Sequence, residues 1–443
     1  LIMQYNISPE KYMGKIGFAG CSVDGVLGGS FNDEDVREYM TKHNATLTPN
    51  GCVWNRDSQG FLPQLMEMMY LDRSKYKKMM LEAKQKYEDT NDAEYKKLAV
   101  RYDMIQMAKK IQLNSAYGAL GNQWFRWFNS DYAESITMGG QLSIRWIEAK
   151  MNAFLNKKLK TDNYDYIIAS DTDSIYVRLN KIVTGVLGEN ADIQEAVTYL
   201  DKLCSKVIEP YIDESYAELA TYVNAFDQKM RMKREAIANK GIWTGKKHYM
   251  LNVYNNEGVQ YNEPQLKMMG IEAVKSSTPA ACRDNIKDAI KIIMNKSEPE
   301  LIDFVQDFRE DFIKMRFDQV ASPRGVNGIH KYKDSSAGWV KGTPIHVRGA
   351  LVYNQMIDRH SLQKKLEKVR DGDKIKFCYL LTPNPTRENV ISIPDTLPEE
   401  FFLGKYIDYE LQFEKVFAGP LRSITDVIGW NLEEKSTLEG FFG

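Results

Sequence analysis

Two carboxylates interrupt an otherwise strand-like run, YIIASDTDSIYVRL from Tyr166 to Leu179. Asp171 and Asp173 stand at i and i+2, and strand side chains alternate faces with a period of two, so an extended reading sets both on one side, where they repel. One resolution is a hairpin turn at SDTDS, because Ser, Asp and Thr side chains bond to their own backbone. The other is a divalent cation that neutralises both carboxylates and holds them together.

A second candidate is KKIQLNSAYGALGN, residues 109–122. Lys110, Asn114 and Tyr117 fall at i, i+4 and i+7, on one helix face. A cation, an amide and an aromatic on one face suit a phosphate, a sugar and a base, although a solvated face offers the same residues. In LDRSKYKKMM, Arg73 and Lys77 again share a face at i and i+4. Opposed to Lys110 across an antiparallel pair, these three cations would repel without a polyanion such as a triphosphate. Pairing with the neighbouring acids Asp72 and Glu82 is the alternative.

KMRMKREAIANKGIWTGKKHY, residues 229–249, gathers Lys229, Arg231, Lys233, Arg234, Lys240, Lys246 and Lys247 around one acid, Glu235. This reads as a local basic stripe, with Trp243, His248 and Tyr249 interleaved and glycines suited to close approach by phosphates. At the end, EKSTLEGFFG places Leu438, Phe441 and Phe442 at i, i+3 and i+4, a short apolar face fit for a partner's groove or for packing back on the parent domain.

These residues need elements to hold them. Residues 62–113 are long, charged and Met-rich with helical periodicity and a break at EDTND, which predicts two antiparallel helices. ITMGGQLSIRWIEAKMNAFLNKKL predicts a helix leading into the DTDS hairpin, and another helix is expected over Ile193–Leu219. Asn50-Gly51 between β-prone runs predicts a hairpin at residues 46–56. NISPEKY predicts a helix start with Ser8 as N-cap and Pro9 in the first position. MLNVYN reads as a strand, and a mixed C-terminal third carries helices near Ala280–Lys296 and Glu298–Lys314.

The chain has 443 residues, more than one core usually fills, so two to four closely packed subdomains are expected. Hydrophobic residues at 43% and charged residues at 27% describe an ordinary globular protein rather than a disordered or fibrous one. A net charge of -1 excludes a uniformly basic nucleic-acid binder but not local basic surfaces. Cys21, Cys52, Cys204, Cys282 and Cys378 are scattered singly, as expected of reduced thiols and not of a disulfide framework or zinc site. With no apolar run of membrane-spanning length and no signal peptide, a soluble cytoplasmic protein is expected.

Taken together the motifs resemble those of the polymerase region of family B DNA polymerases, closest to the replicative enzymes of T-even-like bacteriophages. DTDS at Asp171–Ser174 is similar to motif C, and K-x-x-x-N-S-x-Y-G at Lys110–Gly118 to motif B. WTGKKHY at Trp243–Tyr249 resembles the primer-gripping basic motif, and the S-x-L-x-x-F-F tail a sliding-clamp peptide. The resemblance runs from Leu1 to Gly443. It implies an α+β fold in the right-hand polymerase architecture, with an antiparallel-sheet palm, helical-hairpin fingers and a mostly helical thumb. Palm would fall at residues 1–59 and 123–270, fingers at 60–122 and thumb at 271–443.

The same resemblance implies template-directed DNA synthesis, with nucleotidyl transfer from a dNTP to a primer 3′ hydroxyl and two Mg²⁺ ions as cofactors. Asp173 would bind both ions, Asp171 would lie beside them, and Glu235 would be an accessory carboxylate. Arg73, Lys77, Lys110 and Asn114 would hold the triphosphate, Tyr117 would pack near the nascent base pair, and Lys246, Lys247, His248 and Tyr249 would track the primer terminus. Leu438, Phe441 and Phe442 would dock on a sliding clamp. Implied partners are primer-template DNA, dNTPs, the clamp and a separate N-terminal polymerase or exonuclease chain; the implied compartment is the host cytoplasm.

The chain also departs from the family. It opens on Leu1, and motif A, with its metal-binding Asp and sugar-discriminating Tyr, would lie about 5 to 10 residues upstream, as would the exonuclease domain further on. A truncated or split enzyme is therefore expected, the alternative being a catalytically incomplete DNA- and clamp-binding fragment that needs an upstream chain. Ala169-Ser170 replaces the usual Tyr-Gly before DTD, which is expected to alter the turn because Ser lacks the freedom of glycine. His248 replaces the usual Arg, weakening a primer contact and opening it to pH. A metal-dependent glycosyltransferase also uses D-x-D, but nothing in its chemistry requires the Lys110 helix or the basic stripe.

Overall fold

The computed structural model describes residues 1–334 and 338–434. Two compact units divide the chain. The first comprises Leu1–Asn239 and Val253–Gln265, the second Lys240–Asn252 and residues from Leu266 onward.

The first unit opens with short helices α1 (Ile2–Tyr5), α2 (Val23–Leu27) and α3 (Glu34–Lys42) around strands β1 (Tyr12–Lys15), β2 (Ala45–Leu47) and β3 (Cys52–Asn55). The strands form an antiparallel sheet in the order β1-β3-β2. The predicted hairpin at Asn50-Gly51 is β2–β3, and Gly51 takes φ 82°, a left-handed conformation that suits glycine. Trp54 in β3 is fully buried, with the ring centroids of Tyr12 and Tyr132 each 5.2 Å away and 5.1 Å from one another.

Two long helices follow, α4 (Phe61–Thr90) and α5 (Ala93–Leu120). The break falls in the predicted EDTND segment, where Asn91 ends α4 in the left-handed region and the Asp92 side chain caps α5 by accepting from Glu94 N–H. Partners descend along one helix as they ascend the other: Asp72 pairs with Lys109, the Tyr76 and Tyr102 rings meet at 6.4 Å, and Lys96 lies over Tyr87. The helices are therefore antiparallel.

The helix start read in NISPEKY is a single 3₁₀ turn, Pro9–Lys11, with Ser8 at its N-cap position and Pro9 first, but the Ser8 side chain does not cap it. The side chains of this segment serve α4 instead. Glu10 Oε1 accepts from Phe61 N–H at 2.7 Å, Ser8 Oγ from Leu62 N–H at 3.3 Å, and Asn6 Oδ1 from Gly60 N–H at 2.8 Å. The first N–H groups of a helix have no partner within it, and here a loop about fifty residues upstream supplies them.

α6 (Ser130–Leu159) then leads into β4 (Ile167–Asp171) and β5 (Ser174–Val177), a two-stranded antiparallel hairpin. After α7 (Asn180–Leu187), the helix expected over Ile193–Leu219 appears as α8 (Ile193–Leu203), a π-helical turn at Cys204–Ile208 and α9 (Glu209–Tyr222). The unit's core runs from Tyr5, Ile7 and Trp54 to Met151, Tyr166 and Tyr216.

Strands β6 (Ala236–Gly245), β7 (His248–Asn256) and β8 (Val259–Met269) are neighbours in that order, joined by tight turns at Lys246-Lys247 and Glu257-Gly258; the MLNVYN run lies in β7. The second unit has its own core, including Ile242, Met250, Ile286, Phe312 and Phe417. It contains helices Ala280–Asn295 and Glu298–Phe312, as predicted, and an antiparallel sheet in which Lys374–Tyr379 lies between Val390–Ile393 and Ser322–Gly325. The five cysteines are free, and four of them are buried. No helix among the described residues is long and apolar enough to cross a membrane. Leu438, Phe441 and Phe442 lie outside the described residues.

Candidate functional site

Asp171 and Asp173 sit at the tip of the β4–β5 hairpin, Asp171 ending β4 and Asp173 just before β5. The segment is thus a turn, with one aspartate on each side of Thr172. Asp173 N–H donates to the Asp171 carbonyl at 2.5 Å around Thr172, which has φ 51°. The Thr172 hydroxyl donates to Asp171 Oδ1 at 2.9 Å, and Asp173 is exposed. Ser170 pairs with Ile175 within the strands, the register shifts between Ile167 and Ala169, and the left-handed position falls on Thr172.

The base of the hairpin is fixed by α6. Asn152 Oδ1 accepts from Tyr166 N–H and Asn156 Oδ1 from Tyr164 N–H, each at 2.9 Å, while the Asn156 amide donates to the Tyr164 carbonyl at 2.8 Å. One helical turn thereby holds both ends of the segment that enters β4. On α9, burial and then the nearby Asp173 carboxylate push the Tyr216 hydroxyl up to about 12. Asn152, Asn156 and Tyr216 carried no signal in the sequence, since an asparagine pair at i, i+4 is ordinary on a helix surface.

On the helical hairpin, Lys110, Asn114 and Tyr117 all lie on an exposed face of α5, with Tyr117 42% exposed. The Asp72–Lys109 pair puts the neighbouring residues Arg73 and Lys110 along the same stretch of the hairpin, one on each helix. Neither acid offered as a local partner takes Arg73 or Lys77 among the described ion pairs: Asp72 pairs with Lys109, and Glu82 approaches Lys78 at 3.9 Å. Lys77 Nζ instead meets Glu257 Oε1 at 2.5 Å. Among the described residues Arg73 Nε is buried without a hydrogen-bond partner. A guanidinium and an ammonium one turn apart on α4 are donors of the kind that a phosphate chain takes.

The basic stripe is less uniform than its sequence. Lys229 pairs with Glu67 and Asp227, each at 2.8 Å. Arg234 pairs with Asp201 and donates to Asn255 Oδ1 at 2.6 Å, and Lys240 Nζ donates to the Met294 carbonyl at 2.7 Å. Arg231, Lys233, Lys246 and Lys247 are exposed. Glu235 is exposed at the head of β6, and its carbonyl accepts from Glu257 N–H at 2.5 Å.

Lys246, Lys247, His248 and Tyr249 belong to the second unit, at the β6–β7 turn. Lys247 takes φ 62°, and the His248 ring nitrogen Nδ1 lies 2.9 Å from the Lys246 carbonyl. Gly270 closes against this turn at φ 70°, where an added Cβ would lie 2.4 Å from the Lys247 carbonyl. Tyr249 is buried, its ring centroid 6.3 Å from that of Trp243, so the tyrosine supports the turn from within while His248 is on the surface.

Among the described residues no group of three or more His, Cys, Asp or Glu side chains comes together to hold a metal ion. The pair Asp171 and Asp173 nevertheless fits Mg²⁺, which takes oxygen ligands, keeps several waters and is commonly held by one or two carboxylates together with substrate phosphates.

Residues 2–203 match DNA polymerase family B. The chain is 29% identical over 504 aligned residues to the DNA-directed DNA polymerase of Enterobacteria phage T4, and 32% identical over 507 to that of Escherichia phage RB69. Each alignment covers 100% of this chain and 54% of the relative, so the chain spans about half the length of these relatives. A "DNA polymerase beta" of African swine fever virus is 26% identical over 294 residues, covering 62% of this chain and 23% of the viral protein. With these matches alongside the DTDS hairpin and the helical pair, the chain is similar to family B DNA polymerases and resembles the enzymes of the T-even phages.

Proposed function

We propose that this chain is the polymerase module of a phage-type replicative DNA polymerase, which extends a primer 3′ hydroxyl with dNTPs. The observation that carries the reading is the DTDS tip, two carboxylates presented on a hairpin braced by α6, in a unit that also holds the cationic pair α4–α5. We assign α4 and α5 to the fingers, the β4–β5 hairpin and the β6–β8 strands to the palm, and the helices from Ala280 onward to the thumb.

In this reading Asp171 and Asp173 hold Mg²⁺, with Glu235 as an accessory carboxylate. The bound ions would lower the pKa of the attacking hydroxyl and neutralise the leaving pyrophosphate. Arg73, Lys77, Lys110 and Asn114 orient the triphosphate and offset its charge, and Tyr117 packs beside the new base pair. Lys246, Lys247 and His248 contact the primer backbone, which positions it without reading sequence. Leu438, Phe441 and Phe442 dock on a sliding clamp.

Asp173→Ala is expected to abolish primer extension in Mg²⁺, a loss of at least about a thousandfold, while primer-template DNA binding stays near wild type. Near-normal extension by this variant would remove the assignment. DNA binding with no extension by the wild-type chain, even with an upstream polymerase segment supplied, would favour a DNA- and clamp-binding role.

A further inference from the structure

Lys77 has an occupant. Its Nζ lies 2.5 Å from Glu257 Oε1, and the two side chains are only 33% and 25% exposed. Glu257 stands at the β7–β8 turn, 180 residues away in sequence, with φ 51°. The turn is braced from the segment that carries Glu235: Glu257 N–H donates to the Glu235 carbonyl at 2.5 Å, and Arg234 donates to Asn255 Oδ1, which also accepts from Gly258 N–H at 3.0 Å. A second contact ties α4 to the same hairpin without charge, Gln260 N–H donating to Gln85 Oε1 at 3.1 Å. Gln260 is itself held by Gln194, whose Oε1 accepts from Gln260 Nε2 at 2.8 Å.

One turn before Lys77 on the same helix, buried Arg73 Nε has no acceptor among the described residues. Of two neighbouring cations, one is thus met by an internal carboxylate, and the other keeps a buried N–H without an acceptor among the described residues. The neutral Gln85–Gln260 contact can persist whatever fills the site, whereas the charged contact uses the ammonium that a phosphate would take.

We infer that Glu257 is a positioning residue that holds Lys77 in the nucleotide-free chain and must release it before α4 can grip a triphosphate. This rests on the polymerase reading above. A carboxylate that occupies the lysine lowers the fraction of binding-competent chains, and apparent affinity falls by that fraction. The effect is directed at the phosphates, so it applies alike to any dNTP and to inorganic tripolyphosphate. It belongs to binding, and hence to KM rather than kcat.

The test is equilibrium binding of dTTP and of inorganic tripolyphosphate to the chain, with a primer-template whose primer ends in a dideoxynucleotide, together with steady-state extension. Glu257→Gln keeps the size of the side chain and removes its charge. It is expected to tighten both ligands about fivefold, the scale of a partly exposed ion pair, and to lower KM by a similar factor with kcat unchanged. In a Lys77→Met background the same change is expected to have no effect. Gln85→Ala, which loosens the hairpin without touching charge, is expected to give no gain. Unchanged or weaker binding by Glu257→Gln, or an equal gain from Gln85→Ala, would overturn the inference and leave the polymerase reading standing. Failure of the wild-type chain to bind either ligand, with Lys77→Met no different, would remove both.

Discussion

At the tip of the β4–β5 hairpin, a β-branched residue occupies the left-handed region, Thr172 at φ 51°. Such a conformation costs about 1–3 kcal/mol and persists where surrounding contacts impose it. Here the contacts are the Asp173 N–H bond to Asp171 and the Thr172 hydroxyl bond to the Asp171 carboxylate. The turn therefore draws the backbones of the two aspartates together, and the hydroxyl orients the Asp171 carboxylate. Thr172→Gly relieves the strain and deletes the hydroxyl, so extension is expected to fall about tenfold in kcat/KM while the thermal unfolding midpoint does not drop. A lower midpoint with unchanged extension would mean that the threonine serves stability alone. The aspartates themselves were legible in the sequence because D-x-D is unusual within a strand pattern. Their supports were not: Asn152, Asn156 and Tyr216 act across tertiary contacts that no local periodicity encodes.

The helical pair α4–α5 was legible as an element, from its hydrophobic spacing and from the turn-forming EDTND break. Its attachments were not. The cap on α4 comes from Asn6, Ser8 and Glu10, and the counter-ion of Lys77 from the β7–β8 turn, both remote in sequence. The element also separates two adjacent lysines that sequence alone makes equivalent. Lys109 is bound into the pair, bridging to Asp72 and lying 5.9 Å from the Tyr76 ring centroid, whereas Lys110 points from the exposed face that carries Asn114 and Tyr117. Lys110→Ala is accordingly expected to raise KM for dNTPs at least about tenfold with the unfolding midpoint unchanged, since it removes a charge-assisted contact to the triphosphate. Lys109→Ala is expected to lower the midpoint with a smaller effect on KM. Steady-state extension and thermal unfolding on both variants decide between these roles, and the reverse pattern would move the nucleotide contact to Lys109.

Over the whole molecule the charges nearly cancel, 59 Lys and Arg against 60 Asp and Glu, so no general field draws a nucleic acid to the surface. In the proposed reading, affinity for DNA comes from a few local cations, and counting them in the sequence overstates the number. Of the seven in the stripe from Lys229 to Lys247, Lys229 and Arg234 are engaged with carboxylates and Lys240 with a backbone carbonyl. A cation already paired within the protein releases no counterion from DNA, whereas a surface lysine that meets a phosphate does. If Lys246 contacts the primer backbone as proposed, Lys246→Ala reduces the slope of log K against log salt by about 0.9, the value for one phosphate contact on duplex DNA. Lys229→Ala leaves that slope unchanged, because the loss falls on Glu67 and Asp227, and its cost is read in the unfolding midpoint instead. Binding measured between about 50 and 200 mM salt resolves such a difference. Equal slope changes in the two variants would mean that the internal pairs of the stripe open when DNA binds, and that its cations act together as the sequence first suggested.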